Sequence, residues 1–303
     1  MNLNCKCCLT MLLAVALSSC NFSEDECPQY GYLLASCKQE NGYPKVDSTD
    51  RRMLYLPRTG IDVPRLTGAV DSFRNDTLFR KLAVGIYDLI TFNQAGYKLK
   101  NLTEMDRAEI YTELRTDENG NVYVPDNGRY CETGAMETVE ILRHRNTETV
   151  FQMKPLVKRL VLTFNLQGYV EDIDSINCQL EGIATGKLLW RNKVGEDYAP
   201  MRFKPSELPA DNNRAAVVYQ QDSFVFGWNA GVHKKLQIKT FHEPFGKIPC
   251  LNEVDLSYIL DEVKEDQVEI VLDVYVANDM GVDRVHISGW KEGEIYNLWT
   301  YLF

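Results

Sequence analysis

The sequence predicts an all-β protein built from two β-sandwich domains. Three observations carry that expectation. Apolar and polar residues alternate with period two along many segments, while helical periodicity is scarce. Turn-forming pairs such as Asn119-Gly120 and Asn127-Gly128, and the stretch from Asn229 to Gly231, punctuate those segments. The chain has 303 residues, 45% hydrophobic and 25% charged, which is globular composition at a length suited to about two domains.

Taken in order, the first strand is predicted over 82–92. Thr103, with Asp106 three residues on, caps a predicted helix running to residue 114. Strands follow at 121–124, 138–144 and 149–153. The clearest lies at 160–166, where Leu160, Leu162, Phe164 and Leu166 share one face and Val161, Thr163 and Asn165 the other. Further strands are expected at 173–180, 215–226 and 236–241. Asp255 caps a second short helix, in which Leu256, Ile259, Leu260 and Val263 fall at helical spacing. The last strand, 268–276, turns Val268, Ile270, Leu272, Val274 and Val276 inward. Glu269 and Asp273 then face water, the pattern of a sheet with one wet side. The joint falls at Met153-Lys154-Pro155, because proline holds the residue before it extended. Two domains follow, 28–154 and 155–303, each large enough for a core of its own.

The first twenty residues stand apart from this pattern. Lys6 supplies a basic start and an uncharged apolar run follows over 9–17. That run is well short of the roughly 20 residues a membrane-crossing helix needs, so 1–19 reads as a secretory signal peptide. It ends in Leu17-Ser18-Ser19-Cys20, which resembles a bacterial lipobox. The Cys20 thiolate is the nucleophile such acylation requires. Two or three acyl chains then anchor the mature chain stably, at about 0.8 kcal/mol per buried methylene. An acidic tether, 20–27, follows with Glu24, Asp25 and Glu26, and resembles an export signal for surface display on the outer membrane. Five cysteines remain beyond the lipid site: Cys27, Cys37, Cys131, Cys178 and Cys250. An oxidising compartment permits disulfides, and Cys27 and Cys37 are spaced to clip a short loop. Five is odd, so at least one thiol stays unpaired or pairs elsewhere.

Acids outnumber bases by 43 to 33, for a formal charge of −10. Nucleic-acid binding depends on neutralising phosphates with Lys and Arg, so that class is excluded. Four histidines, without metal-ligand spacing to any cysteine, leave no zinc site, and no cofactor cradle is present. The loop Asp117-Glu118-Asn119-Gly120-Asn121 has the acids of a calcium site without its alternating ligands or closing Glu, so a hairpin turn explains it. Acid pairs such as Asp172 with Asp174 or Asp261 with Glu262 have the residue types of a glycosidase, but 43 acids produce such pairs by chance. His144, His233, His242 and His286 fall at strand ends or in alternation, without a partnered nucleophile. No catalytic residue is assigned, and the chain is read as a non-enzyme. Trp190, Trp228, Trp290 and Trp299 sit beside strand-like segments, where a core role competes with sugar stacking.

A lipobox followed by two β-sandwich-like domains resembles the fimbrillin and minor-fimbria anchor proteins of Bacteroidetes. The stretches 82–93, 153–166, 175–183 and 287–293 carry the likeness. They contain Gly85-Ile86-Tyr87 with Phe92-Asn93, the Lys154-Pro155 crossover, Gly182, and Gly289-Trp290. The resemblance implies two transthyretin-like β-sandwiches and a lipid-anchored surface protein, acting in fimbria (pilus) assembly and cell adhesion. Its partners would be other fimbrillin-like subunits, the outer membrane through acylated Cys20, and a host or bacterial surface ligand. Assembly would proceed by β-augmentation, in which a donated strand fills an open edge. In stalk subunits proteolysis after a basic residue of the first domain opens the acceptor groove, and Arg51, Arg52 and Arg58 lie in the corresponding region. The carboxyl end, 295–303, either donates a strand or closes its own sheet. The alternative is a surface glycan-binding lipoprotein of a nutrient-uptake system. Exposed Trp and Tyr on one face would favour it, and an open hydrophobic edge groove would favour the first reading.

Overall fold

The computed structural model describes residues 29–39, 43–46, 50–58, 69–73, 77–171, 173–209, 217–241, 251–277 and 282–293. Strands make up 65% of it and helix 4%, so the fold is all-β. The chain opens with β1 (Tyr30–Gln39), β2 (Arg51–Pro57), β3 (Ala69–Ser72), β4 (Thr77–Ala83) and β5 (Gly85–Asn93). Short strands β6 (Lys98–Lys100), β7 (Glu109–Tyr111), β8 (Arg115–Thr116) and β9 (Val122–Pro125) follow. Then β10 (Glu132–Ile141) and β11 (Asn146–Pro155) complete a seven-stranded sheet of order β3-β2-β5-β10-β11-β1-β4.

That sheet folds on itself. β10 and β11 pair only at Glu132↔Pro155 and Thr133↔Lys154, and beyond this corner they diverge into two leaves. Leu33, Leu82 and Phe151 from the β11-β1-β4 leaf meet Met53, Tyr87 and Leu89 from the other, forming one core. The predicted strand 82–92 is therefore two strands. β4 ends at Ala83, Gly85 takes a φ of +154°, and β5 begins in the opposite leaf. A uniform apolar run cannot reveal this, because both pieces are half-buried strands.

The second half contributes β12 (Lys158–Gly168), β13 (Ser175–Ala184), β14 (Gly186–Leu188), β15 (Lys193–Val194), β16 (Tyr198–Phe203) and β17 (Ser206–Glu207). It continues with β18 (Val217–Val225), β19 (Lys235–Phe241), β20 (Leu251–Asp255), the helix α1 (Ser257–Leu260), β21 (Gln267–Val276) and β22 (Val282–Gly293). A five-stranded sheet, β17-β18-β12-β21-β22, packs on a six-stranded one, β20-β19-β13-β16-β9-β8. β12 is central, antiparallel to β18 and parallel to β21. Leu160, Leu162, Phe164 and Leu166 are fully buried there, on the face that alternation assigns.

A four-stranded sheet, β15-β14-β7-β6, covers the outer side of the β2-β5 leaf. Leu54, Ile90 and Phe92 pack there against Ala108, Ile110 and Leu189. Two ladders thus join the halves of the chain, β7 with β14 and β9 with β16, and a division at residue 154 cuts across both.

The predicted helix over 103–114 is a correction. Only a single 3-10 turn forms, Met105–Arg107, and Glu109–Tyr111 is β7, held between β6 and β14. Ile110, Tyr111 and Thr112 are β-branched or aromatic, and two neighbouring strands satisfy the backbone that a helix would have paired internally. The second predicted helix exists but spans one turn, α1, with Leu256 at its N-cap. Asp255 Oδ1 accepts from the Ser257 backbone N–H at 2.8 Å, one position before the cap.

Candidate functional site

β1 occupies an unusual place for a strand near the start of a chain. It lies between β11, to which it is parallel, and β4, to which it is antiparallel. Neither partner is joined to it by a hairpin, so both ladders are long-range. Its inward residues, Leu33 and Ala35, are fully buried between the leaves, with Cys37 partly buried beyond them. Outward it carries Tyr30, Tyr32 and Leu34, and Tyr32 stacks on Phe79 at 5.4 Å. That apolar outer face hides the alternation, and sequence reasoning misses β1 for this reason. Gly31 fixes the register: a Cβ there would stand 2.2 Å from the Leu142 carbonyl oxygen. Tyr32 N–H donates to the Arg145 carbonyl and His144 N–H to the Tyr30 carbonyl, which tie the strand's start to the β10–β11 turn.

The three basic residues fall in different environments. Arg51 is 3% exposed, and its Nη2 donates to Glu132 Oε1 at 2.8 Å. Arg52 lies within β2, between β3 and β5, and its Nη1 donates to the Arg51 carbonyl. Arg58 follows the end of β2 with its side chain 40% exposed, bound to Asp88 at 2.6 Å and Glu137 at 3.0 Å. These carboxylates hold its guanidinium pKa above the ordinary value, first through the Asp88 hydrogen bond. Of the three, Arg58 alone stands outside a strand.

Cys37, Cys131 and Cys178 are free thiols, and burial pushes each pKa up. Cys37 Sγ lies 3.7 Å from Thr91 Oγ1. Cys20, Cys27, Cys250, His242, Asp172, Trp299 and the stretch 295–303 lie outside the described residues.

No group of three metal-ligating side chains occurs among the described residues. Asp117 folds its own turn: Oδ1 accepts from the Asn119 and Asn121 N–H groups, and Oδ2 pairs with Arg202 at 2.7 Å. Its carboxyl pKa sits well below the usual range, chiefly because of Arg202. Asp261 pairs with the buried Lys234 at 2.5 Å. His233 stands 3.7 Å from Asp255 on the surface, and neither His144 nor His286 is buried. The tryptophans do not gather on one face. Trp228 is buried and donates to the Leu260 carbonyl, Trp190 packs on the shared core, and Trp290 is 38% exposed on β22.

No family model matches the sequence, and no curated protein does. Solved structures do match. A candidate adhesin from Bacteroides ovatus superposes with a TM-score of 0.58 over 85% of this chain and 93% of its own, at 12% identity. A candidate cell adhesion protein from Bacteroides eggerthii gives 0.54 over 87% and 95%, at 10% identity. The fimbrial anchor protein Mfa2 from Porphyromonas gingivalis gives 0.52 over 86% and 97%, at 12% identity. The chain shares their fold. The fimbrillin-like resemblance read from the sequence is matched at that level, along nearly the whole length of each structure.

Proposed function

We propose that the chain is a lipid-anchored, fimbrillin-like protein of the bacterial cell surface, an anchor or accessory subunit acting in fibre assembly and adhesion. The observation that carries this reading is the lie of β1 in a fold shared with a fimbrial anchor. A strand held by two long-range ladders and two or three inward knobs is one that another chain's strand can replace, with backbone bonds supplying affinity and the Leu33 and Ala35 pockets supplying register. The role is mechanical rather than catalytic. Acyl chains on Cys20 hold the membrane, and no helix among the described residues is long and apolar enough to cross it.

Arg58 is the best-placed of the three basic residues for processing, because a protease needs an extended, accessible segment and Arg51 is buried in an ion pair. Cleavage after Arg58 would release β1 and β2 together with acylated Cys20 and leave grooves beside β11, β4, β3 and β5, so it suits a fibre subunit leaving the membrane, whereas an anchor keeps this bond intact. The scattered tryptophans give the nutrient-uptake alternative no aromatic platform of Trp among the described residues.

The test is a cross-linked pull-down from intact source cells with the lipidated chain as bait. Recovery of other two-domain subunits in a ladder supports the fibre role. Recovery of only an outer-membrane transporter and its glycan partners sinks it.

A further inference from the structure

The outer face of the six-stranded sheet holds a polar concavity of about 640 Å³. Its floor is β19, β13 and β16, and the β8–β9 hairpin rises as one wall. Cross-strand pairing sets its rows. Gln179 stands between Arg202 and Gln237, and one step along, Asn177 pairs with Lys239 and neighbours Lys204. Arg202 is held in place from three sides. Its Nε donates to Gln179 Oε1 at 2.8 Å, its Nη1 to Asp117 Oδ2 at 2.7 Å, and the guanidinium lies 4.7 Å over the Tyr123 ring. Arg115, Lys204 and Lys239 also line the hollow, and no ion pair or side-chain hydrogen bond engages them or Asn177 among the described residues. Four cations thus face two carboxylates, Asp117 and Asp126, on a chain whose formal charge is −10. Phe241, partly exposed, sits at one end.

We infer that this concavity binds an anionic oligosaccharide, one carrying uronate or sulfate groups. The size falls within the roughly 300–1,000 Å³ of small-molecule sites. The side-chain amides of Asn177 and Gln179 on β13 and Gln237 on β19 match closely spaced sugar hydroxyls as donors and acceptors. Lys204, Lys239 and Arg115 meet the acid group, and the Phe241 ring offers a face for a pyranose. An acidic peptide would satisfy the cations, but it offers the amides one backbone donor and one acceptor per residue against the several hydroxyls of each sugar ring. The site lies on the second sandwich, away from β1, so it stands independently of fibre assembly.

Isothermal titration of the full mature chain tests this. The probes are trigalacturonate and a heparin-derived tetrasaccharide, with maltotriose and triglutamate as controls. Binding of either anionic sugar, roughly tenfold tighter than both controls, is the expected result; binding of trigalacturonate assigns uronate, and binding of the heparin fragment alone, which carries both groups, assigns sulfate. Lys204→Ala with Lys239→Ala should weaken it roughly tenfold or more, and Asn177→Ala by a smaller factor, with the thermal midpoint unchanged. Three results overturn the inference: no heat with either sugar, triglutamate binding as tightly as the sugars, or affinity indifferent to both variants.

Discussion

Arg51 and Glu132 form an ion pair at 2.8 Å with side chains 4% and 0% exposed, joining β2 to the corner where β10 meets β11. Asn93 adds to the corner, its Oδ1 accepting from the Glu132 N–H at 2.6 Å. Breaking such a pair leaves one charge buried alone, which costs about 3–5 kcal/mol. Glu132→Ala is expected to destabilise by that order in chemical denaturation. The double variant Arg51→Met with Glu132→Leu should recover most of the loss, since apolar replacement of a buried pair is often neutral. A loss below about 1 kcal/mol for Glu132→Ala would show that water reaches the pair.

Lys187 sits 7% exposed in the core shared by the two halves, and burial lowers its pKa to about 8. Between that value and 10.5 the unfolded chain binds more protons than the folded one, so this group adds stability as pH rises across the window. Cys131, Cys178 and Tyr97 act oppositely, because burial raises their pKa values and favours the folded state below pH 9 to 10. The comparison must therefore be a difference. Lys187→Met is expected to stabilise by about 1–3 kcal/mol at pH 7, with the gain shrinking toward pH 10.5. A gain independent of pH would show that packing alone is responsible.

Asp117 contributes in acid. Its folded pKa lies below 3.8, so the stability it adds is present above that value and lost as pH falls below it. Asp117→Asn should flatten the acid limb of the denaturation curve and leave the neutral region little changed. Identical acid limbs in the two proteins would contradict the Asp117–Arg202 assignment.

Gly31 admits no side chain, because its Cβ would meet backbone at 2.2 Å. Gly31→Ala is expected to cost about 1–3 kcal/mol and to speed amide exchange along β1 selectively. Uniform exchange across the first sheet would mean that β1 is no weaker than its neighbours.

Much of the second sandwich is legible from the sequence, and the reason is physical. β12 and β21 bury one face each, so Leu160 to Leu166 and Val268 to Val276 alternate cleanly. The first sandwich hides its strands. β1 carries half-buried Tyr32 and Leu34 on its outer face, and β2 buries both of its faces because a second layer covers it. β10 begins with Glu132 and Thr133, polar residues buried by Arg51 and by the Thr91 carbonyl, and period two cannot announce such partners. The polar concavity was equally silent. Asn177, Gln179, Arg202 and Lys239 are separate outward residues of three strands until pairing sets them side by side.

In the proposed assembly β1 yields its place to a strand from another subunit. Ser36 and Val150 are direct neighbours on β1 and β11, both on the outer face. Ser36→Cys with Val150→Cys allows a disulfide to lock the strand. Fibre incorporation is then measured on cells producing the variant, with and without reductant. Under strand exchange at β1 the oxidised protein stays out of fibres and the reduced protein enters. A locked protein that enters fibres as readily as the unlocked one would contradict strand exchange at β1.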